Sequence, residues 1–331
     1  MQGTSLLFPL WPISRWAAPV SGVFPHFAGF HCWLVEVASL GVEADASSMA
    51  DLAGRTCLVT GATSGIGEET ALGLARRGAR VLIVGRSRER GERSLARIRA
   101  ESGNDAVELL LADLASLAEI RRLAREVLEA CPQLHVLVNN AALVTLRRTT
   151  SVDGFETMFA VNHLAYFALT NLLLEQLVAS APARIVNVTS NAHRFGRIDL
   201  DDLQSERRFG AMHSYGRTKF ANILFTTELA RRLEGTGVTA NCLHPGGVAT
   251  RLGRDNGLLG RVATRLLKPF LLTPARGAAT SLHLATAPEL EGVSGRYFAK
   301  QCEAQPSSGA QDPALARRLW ELSAELTGLG T

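Results

Sequence analysis

Between Thr56 and Thr60 the chain reads T-C-L-V-T, a short apolar, β-rich run. It breaks at once into Gly61-Ala-Thr-Ser-Gly65-Ile-Gly67 before a helical pattern that carries Leu72, Leu74 and Ala75. Strand, glycine turn and helix in that order constrain the fold more than any other stretch. Glycines let a backbone turn tightly and approach a pyrophosphate, and the helix next to them offers free amide donors and a favourable dipole. The spacing is G-x-x-x-G-x-G, not the commoner G-x-G-x-x-G, and a glycine turn alone is weak evidence because loops are rich in glycine. Its weight therefore depends on the pattern of the chain downstream.

Further β-rich runs stand at 80–84, 107–111, 134–138 and 184–188, separated by helical patterns and by no Pro/Gly/Ser-rich linker. This alternation predicts a doubly wound parallel sheet, a three-layer α/β/α arrangement in one domain spanning residues 51–331. With 47% hydrophobic and 20% charged residues the chain can bury a large core. The net charge of +4 is spread over mixed-sign helical faces such as 86–99 and 119–129, which excludes a localised nucleic-acid footprint. None of the eight histidines stands in a zinc-type spacing, so no metal is expected.

In open parallel sheets ligands bind beyond the carboxyl ends of the strands, so polar residues placed there are candidates. After the second strand an NAD site would usually hold an acidic side chain, whereas here Gly85, Arg86, Ser87 and Arg88 stand. A guanidinium grips a 2′-phosphate that a carboxylate would repel, so Arg86 points to NADP(H); Arg88 reads better as part of a charged helix face. Asp113 comes after the third strand, although it could equally cap the helix starting near Ser116. Asn139-Asn140-Ala141-Ala142 ends the fourth strand and Thr189-Ser190-Asn191 the fifth.

Tyr215 and Lys219 lie four residues apart in a helical pattern and so share one face. Carbonyl reduction needs a proton donor at oxygen, and a nearby ammonium would ease the loss of a phenolic proton whose ordinary pKa is about 10. The chain has three lysines (Lys219, Lys268, Lys300) against 32 arginines, and one of the three stands here. A Y-x-x-x-K pair also arises by chance on helix surfaces.

Taken in order, T-G-A-T-S-G-I-G, D-L, N-N-A, V-N-H, the strand ending at Ser190, Y-G-R-T-K and P-G-G-V-A-T resemble the short-chain dehydrogenase/reductase family over residues 51–300. The resemblance implies a catalytic set in which Tyr215 is the acid/base and Lys219 holds the nicotinamide ribose. Ser190 would bond the substrate oxygen, and Asn162 would hold a relay water. It further implies that Gly61, Ser64, Gly65, Ile66 and Gly67 cradle the phosphates, Asp113 meets the adenine, Asn139 the ribose side of the cofactor, and Ala141 joins the cofactor-binding set. Thr250, after Pro245 and Gly246, would meet the carboxamide. Within the family the chain is similar to the retinol dehydrogenase branch through A-S-L after Asp113, V-N-H-L, I-D-L-D-D-L, F-T-T-E-L-A-R-R-L and R-R-L-W. Ala142 departs from the glycine usual after N-N-A.

The expected reaction interconverts an apolar aldehyde or ketone and its alcohol with NADP(H). A carbon–carbon double-bond reductase and a non-catalytic NADP(H)-binding regulator are the alternatives. An apolar stripe from Leu258 to Leu272 with interleaved Arg261, Arg265 and Lys268 is expected to be a lid over a small apolar substrate. Residues 1–50 form an irregular extension: Trp16–Val35 carries no charge for 20 residues but is broken by Pro19, Pro25, Gly22 and Gly29. Met49 reads as the start, with a weak membrane anchor as the competing reading. Five widely spaced cysteines suit reduced thiols and a cytoplasmic location. Contact with a membrane surface, and a homodimer through the helices at 157–179 and 214–233, are both compatible with the sequence.

Overall fold

The computed structural model describes residues 51–248 and 272–330. The N-terminal extension, Thr250 and most of the expected lid lie outside these residues. Eight strands form one sheet in the order β3-β2-β1-β4-β5-β6-β7-β8: β1 Thr56–Thr60, β2 Arg80–Gly85, β3 Val107–Leu111, β4 Val136–Asn139, β5 Ala183–Val188, β6 Val238–His244, β7 Tyr297–Ala299 and β8 Cys302–Glu303. All neighbours pair in parallel except β7 with β8. The strand order reverses direction between β1 and β4, which opens a crevice at their carboxyl ends.

The strands are apolar on both sides because helices cover both faces. Leu58, Leu82, Leu137, Ile185 and Ala240 pack against α3 (Leu117–Ala130), α4 (Ala165–Leu172) and α6 (Ala211–Arg232). Their alternates, such as Cys57, Val59, Ile83, Val138 and Val186, pack against α1 (Gly65–Ala75), α2 (Arg88–Ser102) and α7 (Pro274–Thr286). The expected doubly wound, three-layer domain is what the chain forms. Cys57, Cys131 and Cys242 are buried free thiols, but Cys302 is disulfide-bonded, so among the described residues the expectation of reduced thiols fails at Cys302.

The helix expected to run unbroken over 157–179 is interrupted. An α turn at Thr157–Phe159 passes into a π segment, Ala160–Leu164, and only then into α4, with α5 (Leu174–Ala179) offset after Leu173. Such π turns insert an extra residue and occur often at functional sites. A second difference concerns the surfaces of α4 and α6 proposed for a homodimer. The chain's own C-terminal helix, α8 (Pro313–Thr327), lies on them. Trp320 packs edge-on to Phe167 and flat against Phe225, with the Arg232 guanidinium over its ring.

Candidate active site

Beyond the carboxyl ends of the parallel strands opens a cleft of about 460 Å³. Its floor at one end is backbone. Gly61 and Gly65 take the left-handed conformation, at φ +66° and +63°, which glycine alone adopts without strain. A Cβ on Gly61 would lie 2.7 Å from the Cα of Ala141, and one on Gly67 would lie 2.5 Å from the Gly61 carbonyl oxygen. Ser64 stands at the N-cap of α1 and makes no capping bond, which leaves its hydroxyl and the first amides of the helix to a ligand. The donor set and the absence of side chains suit a pyrophosphate group.

Arg86 and Arg90 line the far end of the same cleft. Their neighbours on α2 are occupied: Arg88 pairs with Glu92, Arg93 with Glu89, and Arg97 with Glu68, Glu69 and Glu101. Among the described residues no carboxylate pairs with Arg86 or Arg90. Asp113 also lines the cleft, and its carboxylate accepts from the Ala115 amide at 3.0 Å. The cap of α3 is instead Ser116, which resolves the competing reading of Asp113.

At the other end Ser190, Tyr215 and Lys219 meet. Ser190 caps a 3₁₀ turn, Asn191–Phe195, its hydroxyl accepting from the Ala192 amide at 3.1 Å. Burial dominates at the Tyr215 hydroxyl and pushes it up to about 12, with Ser190 beside it acting in the opposite direction. Lys219 is 1% exposed, and desolvation brings its ammonium down to about 7. Its Nζ donates to the Val188 carbonyl at 2.9 Å and stands 5.9 Å from the centre of the Tyr215 ring. The sequence led us to expect an ammonium that lowers the tyrosine pKa. In the chain by itself burial is the dominant cause for both groups.

Three predicted residues are placed differently. Asn139 is fully buried, donating to Thr170 Oγ1 at 3.0 Å and to Asn187 Oδ1 at 2.9 Å, so it joins α4 to the sheet below the cleft. Asn140 is the member of the pair that lines the cleft, its Nδ2 donating to the Thr60 carbonyl at 2.8 Å. Strand alternation explains the difference, because successive side chains leave opposite faces. Ala141 contributes backbone, packed against Gly61 and bonded through its amide to Thr60 Oγ1 at 3.1 Å.

Asn162 stands in the π segment with both amide hydrogens engaged, to the Leu143 carbonyl at 3.0 Å and Thr218 Oγ1 at 3.2 Å, while its Oδ1 accepts from the Leu143 amide at 2.8 Å. The observed work of its side chain is to hold Leu143, a cleft residue, in place. Gly61, Ser64, Ile66, Gly67, Pro245 and Gly246 all line the cleft, and Gly65 shapes the turn from behind. The sequence reading missed Arg90, whose signal was its position one helical turn after Arg86. It also missed Ala112 and Met212, which nothing in their own chemistry marked out.

A family model described as short chain dehydrogenase matches residues 55–257. Mouse retinol dehydrogenase 12 is 46% identical over 276 residues, covering 83% of this chain and 87% of that protein. Among solved structures, an uncharacterized protein from Mycobacterium Paratuberculosis superposes with a TM-score of 0.68 at 34% identity, over 85% of this chain and 96% of its own. The Pseudomonas aeruginosa RhlG/NADP active-site complex does so with a TM-score of 0.61 at 31% identity, over 75% and 95%.

Proposed function

The chain belongs to the short-chain dehydrogenase family and is an oxidoreductase of the retinol dehydrogenase type, and from that premise we propose that it uses NADP(H) to interconvert an apolar carbonyl compound and its alcohol. One observation carries the reading: the proton-bearing trio Ser190, Tyr215 and Lys219 and the glycine turn share a single cleft. A bound nicotinamide cofactor supplies or takes up the hydride. The chain's own residues do the rest. Tyr215, kept protonated by burial, gives its proton to the carbonyl oxygen as that oxygen gains charge, and Ser190 donates a second hydrogen bond to the same oxygen. Lys219 stands by the phenolate left behind, its Nζ 5.9 Å from the ring centre, and in the alcohol-oxidising direction the same proton returns.

NADP(H) is favoured over NAD(H) because no acidic residue stands directly after β2 and because Arg86, before the cap of α2, and Arg90, in its first turn, line the cleft with no competing carboxylate among the described residues. The complex of RhlG with NADP is in keeping with this. An apolar substrate is favoured by Leu143, Val144 and Met212 in the wall, and by Met212 and Phe195 nearby, 56% and 70% exposed. Among the described residues no helix is long and apolar enough to cross a membrane. We propose a cytoplasmic enzyme that touches a membrane surface. A homodimer through α4 and α6 would have to form beside α8, which packs on both helices.

The test is NADPH consumption, against NADH, with a panel of apolar aldehydes and ketones including a retinoid aldehyde, with Tyr215→Phe alongside. Preference for NADPH and loss of turnover in Tyr215→Phe are expected. Binding of NADPH by the wild-type chain with no carbonyl turned over would reject the reading.

A further inference from the structure

A buried histidine, His193, and a half-buried one, His244, take no part in the proton chemistry, and both lie against the ring of Tyr297 on β7. The His193 ring centre is 5.4 Å from that of Tyr297 and the His244 centre 6.1 Å, the first edge-on and the second stacked. Each histidine holds the backbone of one functional loop. His193 Nε2 accepts from the Ser307 amide at 3.1 Å; an amide can only donate, so the ring proton is on Nδ1, which donates to the Ser190 carbonyl at 2.8 Å. His244 Nδ1 accepts from the Gly246 amide at 3.0 Å, so its proton is on Nε2. Burial lowers both pKa values below the ordinary histidine range, which keeps the two rings neutral and these tautomers in place.

The same two loops are joined at their roots. Thr189 donates to the Leu243 carbonyl through its amide at 2.7 Å and through its hydroxyl at 2.8 Å, one residue before Ser190 and one before His244. The turn after Ser190 is in turn pressed onto α6 next to Tyr215. A Cβ on Gly216 would collide with the Ala192 carbonyl, and one on Gly196 with the Gly216 backbone. Only hydrogen side chains at 196 and 216 let the serine turn sit this close to the tyrosine helix.

We infer that His193 and His244, braced by Tyr297, are positioning residues that set the catalytic serine and the Pro245–Gly246 loop of the cofactor site as one unit. The inference rests on the oxidoreductase reading above. His193 acts on the substrate side of the cleft, through Ser190. His244 acts on the cofactor side, through Gly246. Misplacing a catalytic group by about an ångström can cost on the order of a hundredfold in rate, so loss of these bonds should be read in kinetics before it is read in folding.

The experiment compares His193→Phe, His193→Asn and His244→Phe with the wild-type chain in carbonyl reduction, NADPH binding and imidazole nitrogen NMR. Phenylalanine keeps the ring against Tyr297 and removes the donor, whereas asparagine returns an N–H near the place of Nδ1. His193→Phe is expected to lower kcat between about ten- and a hundredfold with NADPH affinity unchanged, and His193→Asn to recover most of it. His244→Phe is expected to weaken NADPH binding, and the wild-type spectrum to show an Nδ1–H imidazole at His193 and an Nε2–H imidazole at His244. Equal kcat in His193→Phe and wild type, equal impairment of both His193 variants, or reversed tautomers would each overturn the inference. A wild-type chain that turns over no carbonyl would reject the oxidoreductase reading instead, and the binding and NMR measurements would still decide the role of the histidines.

Discussion

At the Gly61–Gly67 end of the cleft the working surface is backbone, exposed because side chains are missing, whereas at the Ser190–Tyr215–Lys219 end it is made of side chains whose properties are set by burial. The first end is built on a local conformation. Two left-handed glycines and a helix start within seven residues shape it, seated against Asn140 and Ala141 at the end of β4. The second end draws on β5, on α6 and on the loop after β6, and its residues reach their chemical state only when the core closes around them. Lys219 at about 7 and Tyr215 at about 12 are properties of the folded interior, in opposite directions and from the same cause. A ligand cradle can therefore be local in sequence, while proton chemistry is a product of tertiary packing.

If this division holds, substitutions at the two ends should separate binding from chemistry. The largest effect is expected from Tyr215→Phe, which removes the proton donor: carbonyl reduction should fall by about 10²–10⁴-fold, while NADPH affinity measured by fluorescence titration stays as in wild type. Gly67→Val is the counterpart. Its side chain would fill the cradle against the Gly61 carbonyl, and with about 1.5–3 kcal/mol at stake in each charge-assisted hydrogen bond lost, NADPH should bind at least about a hundredfold more weakly by calorimetry. Circular dichroism should show its fold retained.

Smaller effects sharpen the picture at the cleft's far end. Arg86→Ala should weaken NADPH by roughly tenfold, the value of one charge-assisted contact of about 1.5 kcal/mol, and leave NADH almost unchanged; adding Arg90→Ala should extend the loss. Parallel weakening of both cofactors would show that these arginines do not read the 2′-phosphate. The last expected effect is read in stability and not in binding. The unfolded chain holds the Lys219 proton up to about pH 10, and the folded chain releases it near 7. Between these values the unfolded state binds more protons, so stability gained from this group rises with pH over that window and is lower below it. Urea unfolding of the ligand-free chain should show the rise, and Lys219→Met should flatten it.

The same contrast explains how much was legible in the sequence. The strand–turn–helix and the polar residues at strand ends pointed to the sheet, its single domain and the polar and glycine positions of the cleft, because period, glycine spacing and strand termini are local signals. Asn139 and Asn140 could not be told apart, since which of two adjacent residues faces the cleft depends on the final register of β4. The π segment around Asn162 was hidden because its residues have ordinary helical character; the interruption is accompanied by bonds to Leu143, Thr218 and Asn222 from elsewhere in the chain. Coverage of α4 and α6 by α8 was equally non-local, resting on Trp320 meeting Phe167 and Phe225. The tyrosine–lysine pair was legible as a pair of residues, but its pKa values were not, because desolvation has no signature in spacing.

The division of labour between the two ends is tested most directly by loading Tyr215→Phe and Gly67→Val with NADPH and tracking a single turnover with an apolar aldehyde. The account predicts that Tyr215→Phe takes up NADPH with wild-type affinity and barely oxidises it. Gly67→Val should bind poorly, yet turn over whatever cofactor it holds at high concentration. If Tyr215→Phe loses affinity as well as chemistry, or oxidises bound NADPH at the wild-type rate, the two ends are not the separate devices described.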